Sequence, residues 1–393
     1  MRSSFLDKSL LLLSQGCWRS PQKLLSYIFI ISLCITTYSC RNTPPPLEPE
    51  ETIEVGTENR LVVANAILEQ SDIDGKLLWR LQTEEAIYSQ DRKTATVTGI
   101  VGNLYEDGEV ILSLQAEAGQ VINDGERVIL ETNIIVTDNR TGAVLETELA
   151  EWQPENDLLI IDAELQGKYP NGQFTATKAQ YFIDRSELEL TEEVDALTIE
   201  PALRILSEQV IWQFEEDVVT AEDGLEVQQY TEEEVTTRLR AKTAEVNIAE
   251  QEVTVSGDVL LNSLKPKAQF ASGEAVWDME EGVIVGKKSV QITHEKEKVQ
   301  FRGEAGQFNL NTQEVQLVGA VRGVGKKPPS TLQAGRVDWN LETQQLVAQG
   351  NVVYEQNEPR LTLTGNRAVG QLNNSRLVIS GTSTKPVTTK VIP

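Results

Sequence analysis

Side chains capable of covalent or metal chemistry are few in this 393-residue sequence, and they stand far apart. All three cysteines, Cys17, Cys34 and Cys40, fall within the first forty residues. Beyond Cys40 the chain therefore has no disulfide, thiolate zinc site or thiol nucleophile. The single histidine, His294, is followed by Glu295-Lys296-Glu297-Lys298, a pattern that predicts a solvated turn. Gly286-Lys287-Lys288-Ser289 ends like a phosphate-binding loop but has Glu281 where that loop's first glycine belongs, so it reads as a basic β-turn. Acidic runs such as Glu215-Glu216-Asp217 and Glu232-Glu233-Glu234 are ordinary in an acidic chain and carry neither glycoside hydrolysis nor a calcium site. No G-x-S-x-G, H-E-x-x-H or G-x-G-x-x-G signature occurs. A protein without catalytic residues, cofactor or metal is expected.

The remaining chemistry is apolar. Trp277, Phe308 and Trp339 are each 31 residues apart, as are Gly319, Gly350 and Gly381, and Gly257 lies 62 before Gly319. One phrase recurs between them: aromatic, polar turn, apolar pair, glycine. It runs from Phe308 to Gly319, from Trp339 to Gly350, and returns from Gly370 to Gly381. Weaker copies upstream place Tyr88, Trp152, Tyr181 and Trp212 in the aromatic slot, with Val246 in one of them. A row of large apolar side chains on one face either packs a core or binds an apolar ligand such as acyl chains, and sequence alone does not separate the two.

The elements that hold this row read as β-strands. Short runs alternate apolar and polar residues, as in residues 94–101, 253–257 and 361–365, and are broken by Gly, Asn-Asp-Gly and Asn-Gly. Residues 59–70 are the one stretch with a helical composition. Alternation puts Trp212 with Phe214, Phe308 with Leu310 and Trp339 with Leu341 on one face, joined across the turn by Leu317 and Leu346. No unit of about thirty residues buries such a face alone, so neighbours must stack into a shared apolar trough. The expected fold is all-β, an elongated open two-sheet stack of about ten repeats. The glycines mark bulges or bends, and both ends are open edges. With one strand per sheet per repeat, Trp277, Phe308 and Trp339 would lie one strand spacing apart, and the body would be on the order of 50 Å long.

Residues 24–40 carry no charge and follow Arg19 and Lys23. This is the pattern of an export signal or a short membrane anchor, and its length does not decide between them. Ser39-Cys40 fits a lipoprotein signal with Cys40 lipidated, although Thr37 stands where an aliphatic residue is usual. A proline-rich acidic tether follows over 41–60. The net charge of −25 excludes an ordinary nucleic-acid binder. It is unevenly spread: residues 41–250 hold 45 acidic and 15 basic side chains, and residues 251–393 hold 14 and 16. The C-terminal third thus has cations to offer an anionic partner, with Lys287, Lys288, Lys326 and Lys327 among them.

The N-terminal half resembles a known family. Leu78-Trp79-Arg80-Leu81 with Ala86 and Tyr88 is followed by Leu104-Tyr105-Glu106-Asp107-Gly108, then Ala116 and Gly119, then Gly142, Leu145 and Thr147, then Leu149, Trp152, Pro154 and Asp157. Over residues 61–200 this order is similar to LptC, the membrane-anchored periplasmic component of lipopolysaccharide export. Residues 201–393 look like continuing OstA-type β-jellyroll units of LptA and the periplasmic part of LptD. The resemblance implies an open β-jellyroll that takes lipid A acyl chains and has no catalytic residues. It implies one edge docked on the export ABC transporter complex and the other paired with an LptA/LptD-like protein, the whole lying in the periplasm and anchored to the inner membrane. Two other readings stand beside it: a structural or adhesive β-solenoid lipoprotein with a dry core, and a repeat-built glycan-processing enzyme.

Overall fold

The computed structural model describes residues 60–393 apart from 232–233, 266, 373–375, 383–385 and 392–393. The predicted anchor, Cys40 and all of the tether but Arg60 lie outside the described residues. Twenty-seven strands form one continuous antiparallel sheet, and no α-helix occurs among the described residues. The stretch with helical composition is instead the strand Leu61–Ser71, paired with Leu77–Tyr88. Cross-strand packing overrides its intrinsic preference there.

Strand formation follows the alternation. In Lys267–Asp278 the even residues Ala268, Phe270 and Ser272 are buried, and after a bend the odd residues Ala275 and Trp277 take over. The bend is the organising feature of the fold. Along Glu252–Leu264, Ser256 pairs with Glu274 and Val259 with Ser272, so two residues oppose one. The extra pair, Gly257 and Asp258, is left-handed at φ 78° and 53°. Such a bulge kinks and twists the strand. It recurs at Thr132-Asn133, Glu192-Glu193, Asp223-Gly224, Gly319-Ala320 and Gly350-Asn351. Lys288-Ser289, at φ 62° and 70°, occupies the same line, so this motif is a bend between Val283–Lys287 and Val290–His294 rather than a hairpin turn.

The line of bulges folds the sheet into two facing layers. Each long strand gives one part to each layer, and the inner faces meet: Trp339 lies 5.6 Å from Phe301 and Trp79 lies 5.4 Å from Trp152, ring centre to ring centre. Each 31-residue repeat supplies a hairpin, not one strand, to each layer. Ile284 therefore pairs between Trp277 and Phe308, and Val315 between Phe308 and Trp339. The three aromatics share a layer and a register, but they sit two strand spacings apart rather than one. With roughly twenty strand segments per layer at ~4.8 Å, the stack is on the order of 100 Å long, about twice the length expected.

Polar turns close the hairpins of the first layer. Asn309 Oδ1 accepts from the Asn311 and Thr312 N–H groups, and Asn340 Oδ1 from Thr343 N–H. The same device recurs at Asn247 and Asp278. These side chains satisfy the turn and fix its place just after the aromatic. Consecutive turns are also linked, Leu310 N–H to Gly282 O and Leu341 N–H to Gln313 O, both at 2.9 Å.

Candidate functional site

Pairing register builds one unbroken row along the first layer. It runs Tyr88, Ala95, Val121, Val128, Trp152, Leu159, Tyr181, Leu188, Trp212 and Val219. It continues through Val246, Val253, Trp277, Ile284, Phe308, Val315, Trp339 and Leu346 to Gly370 and Leu377. Every member except Gly370 is apolar or aromatic. Eight of the residues predicted from the sequence lie in it: Tyr88, Trp152, Tyr181, Trp212, Trp277, Phe308, Trp339 and Leu346. Leu317 belongs to a parallel row nearer the bend, where small residues such as Ala275, Gly286, Ala348 and Ala368 let the layers converge. Phe214, Leu310 and Leu341 lie in the rim turns, outside the aromatic row. All twelve join one apolar cluster.

The opposing row was not foreseen. It includes Leu81, Leu114, Phe174, Leu239, Phe270, Phe301 and Leu332, again in continuous register. Its signal was present in the sequence: Phe270, Phe301, Leu332 and Leu363 are spaced by 31. Two glycines serve this row. A Cβ on Gly167 would lie 2.1 Å from the Phe174 ring and one on Gly323 2.2 Å from Phe301, so each phenyl lies across a bare backbone.

Between Trp277 and Leu346 the interior is filled by its own side chains, with Phe270, Phe308, Leu317 and Trp339 all buried. Midway along, the packing loosens: Trp212, Phe214, Val219 and Val246 are half-buried. Trp212 there stacks edge-on with Tyr169 at 5.1 Å and tilts against Phe214 at 4.5 Å.

The seam opposite the bend is tied by polar contacts. Arg140, in a second-layer turn, donates to Asp138 Oδ2 at 2.8 Å and to Ser186 Oγ of a first-layer turn at 2.6 Å. It also donates to the Tyr181 hydroxyl, which in turn donates to Asp138. Burial pushes the Asp138 carboxyl up, but the hydrogen bonds from Arg140 and Tyr181 outweigh it and hold the group below the usual aspartate range. Burial, then Asp138, push the Tyr181 phenol well up. Farther along, His294 is not solvated as its charged neighbours suggest. It is buried against Trp339, accepts from Glu297 N–H at 3.2 Å through Nδ1, and places Nε2 3.4 Å from Gln344 of the opposite lip. Burial lowers its pKa, so the ring is neutral at pH 7. Among the described residues no group of three or more His, Cys, Asp or Glu is placed to hold a metal.

A family model described as lipopolysaccharide-assembly, LptC-related, matches residues 27–200 and 207–326. The chain belongs to this LptC-related family. The match reaches well past residue 200, so the resemblance first seen over 61–200 covers most of the repeats. No curated protein matches the sequence. Among solved structures, LptH of Pseudomonas aeruginosa, an LptA-homologous periplasmic component of the lipopolysaccharide transport device, is 12% identical; the match covers 40% of this chain and 95% of that one at a TM-score of 0.20. Superposition at that level does not establish a shared fold.

Proposed function

We propose that the chain is a periplasmic, inner-membrane-associated bridge of lipopolysaccharide export that carries lipid acyl chains between its two layers. The observation that carries this reading is the aromatic row, continuous in register from Tyr88 to Leu377, in a member of the LptC-related family. Transfer of an acyl chain from water gains ~0.8 kcal/mol per CH₂, so a chain of about ten methylenes contributes roughly 8 kcal/mol towards parting the layers at the seam. The indole N–H groups of Trp152, Trp277 and Trp339 have no protein acceptor, and an acyl ester carbonyl would supply one. A photoreactive residue at Trp212 or Phe308 should give a lipopolysaccharide adduct in living cells, and one at the exposed Gln307 should not. Equal adducts from Gln307, or none from the interior, would reject the reading in favour of a dry structural solenoid.

Residues 61–200 are the part that docks on the export ABC transporter complex, and 201–393 are added bridge units. Leu61–Ser71 pairs with Leu77–Tyr88 alone among the described strands and exposes Leu61, Val62 and Ile67, as a strand awaiting a partner sheet does. At the other end, among the described strands, Arg376–Ser380 and Thr388–Val391 each pair with Arg360–Gln371 alone, leaving edges for an LptA/LptD-like protein. Cys40 is the site of lipid attachment. Cys40→Ala should then abolish incorporation of labelled palmitate, and unchanged labelling would favour a retained helix.

A further inference from the structure

Half of the described lysines in this acidic protein are paired. Lys76, Lys168, Lys178, Lys242, Lys265 and Lys288 each hold a carboxylate at 2.8 Å or less. Lys287 approaches Glu274 at 4.0 Å. The remaining seven described lysines meet no carboxylate, and of these Lys93 and Lys390 are scattered. The other five gather in one place. Lys267, Lys296, Lys298, Lys326 and Lys327 are exposed, and their ammonium groups meet no carboxylate among the described residues.

These five occupy three successive turns of the second layer, at residues 264–267, 294–299 and 326–329. The turns are neighbours: Ala268 pairs with His294, Val299 with Gly325, and Lys326 N–H donates to Lys298 O at 3.2 Å. Rungs of this kind lie ~10 Å apart, so the group lines ~20 Å of one lip of the seam. Glu295 and Glu297 are interleaved, and Glu234 takes Lys265, yet the lip remains net positive. Upstream, the same lip carries Asp72, Asp74, Glu106, Asp107 and Glu109 and is acidic. Directly beneath the lysines, His294 seals the interior against Trp339.

We propose that this lysine lip binds the phosphate-bearing headgroup of an acylated lipid whose chains lie in the interior below it. The inference rests on the lipid-bridge reading and adds where along the stack, and by which chemistry, the polar end is held. The facing lip carries Asp278, Glu280, Glu281, Glu314 and Glu342, which repel an anion. A headgroup is thereby pressed to one side and the lipid takes a single orientation across the seam. One exposed ammonium contributes little, and only several within a Debye length of one another make a site, which salt must weaken.

The test uses the full-length chain and two probes, lipid A bearing its phosphates and the same lipid with the phosphates removed. One variant replaces Lys296, Lys298, Lys326 and Lys327 by Gln. A charge-matched control replaces Lys178, Lys242, Lys287 and Lys288 by Gln, away from the lip. The lip variant should bind phosphorylated lipid A at least five-fold more weakly at low salt, with the difference vanishing at high salt. Its binding of the dephosphorylated lipid should be unchanged, and the control should bind both as the wild type does. Equal binding of both lipids by wild type and lip variant overturns the lip and leaves the trough standing. Wild type that binds neither lipid overturns both. Inorganic phosphate that competes as well as lipid A at matched ionic strength assigns the lip to free phosphate, and loss of an acidic protein partner with unchanged lipid binding assigns it to that partner; either outcome overturns the proposal.

Discussion

Arg140 ties the two lips of the seam through a fork that reaches Asp138, Tyr181 and Ser186, and Ser186 Oγ passes the chain on to Glu215 at 3.1 Å. Asp138 is nearly inaccessible and Arg140 about a quarter exposed. Arg140→Met leaves a buried carboxylate without its cation and should cost ~2–4 kcal/mol of stability. The pH response identifies the cause. In the wild type the Asp138 carboxyl sits below its unfolded value, so its contribution is complete above the ordinary aspartate range and is lost as pH falls through the depressed value. In the variant the Arg140 cation is gone. Burial, the largest influence on this carboxyl, is then opposed by the hydrogen bonds from Tyr181 and the Thr141 N–H, so the carboxyl rises and protonation costs the folded state less as pH falls. Urea unfolding at pH 7.5 and pH 4.5 should therefore show the gap between the proteins narrowing at the lower pH. A gap independent of pH would mean that Arg140 acts through packing. None of this was legible in the sequence, because Asp138 and Tyr181 are 43 residues apart and meet only when the layers close. His294 was misread for a nearer reason. Its neighbours Glu295, Lys296 and Lys298 are indeed exposed, but Val290, Ile292 and His294 alternate onto the inward face, and that period extends one residue farther than the charged run suggests.

At the level of strands, the sequence carried the aromatic row and its turns almost completely, because a residue at a fixed interval on a period-two face must return to the same register position. The glycine positions were equally informative. Gly257, Gly319 and Gly350 all sit at φ near 80°, at the bend into the second layer. The count of strands per repeat was not recovered. The aromatic phrase spans one turn of the first layer, while the second-layer hairpin is marked only by Phe270, Phe301, Leu332 and Leu363, whose flanking turns vary from Lys-Pro-Lys to His-Glu-Lys-Glu-Lys. Bends at Thr132-Asn133, Glu192-Glu193 and Lys288-Ser289 contain no glycine at all. Left-handed geometry at such residues costs about 1 kcal/mol each and is imposed by the pairing on either side, so composition cannot announce it. The strand Leu61–Ser71 shows the same limit from the other direction: its Leu, Ala and Glu favour a helix, and an available sheet edge decides otherwise.

For the whole molecule, the repeat makes length a property that can be changed in whole steps. In a stack where each unit touches only its neighbours, stability is nearly a sum over units and interfaces, and an internal unit can be removed if the join falls at equivalent positions. Leu310 and Leu341 are such positions, each donating its N–H to the turn of the preceding repeat. Deleting residues 311–341 joins one to the other's successor and removes one hairpin from each layer. The shortened chain should fold, keep its aromatic row in register, and lose ~10 Å of its longest dimension by small-angle scattering. Deleting only residues 311–326 removes half a unit, sends every later strand to the wrong layer, and should leave the C-terminal part sensitive to protease. The asymmetry between the two deletions is the decisive reading, because a closed core with no repeat register would tolerate the smaller loss better. If the 31-residue deletion unfolds while the shorter one survives, the units are not equivalent, and the stacked-hairpin account of the trough fails with them.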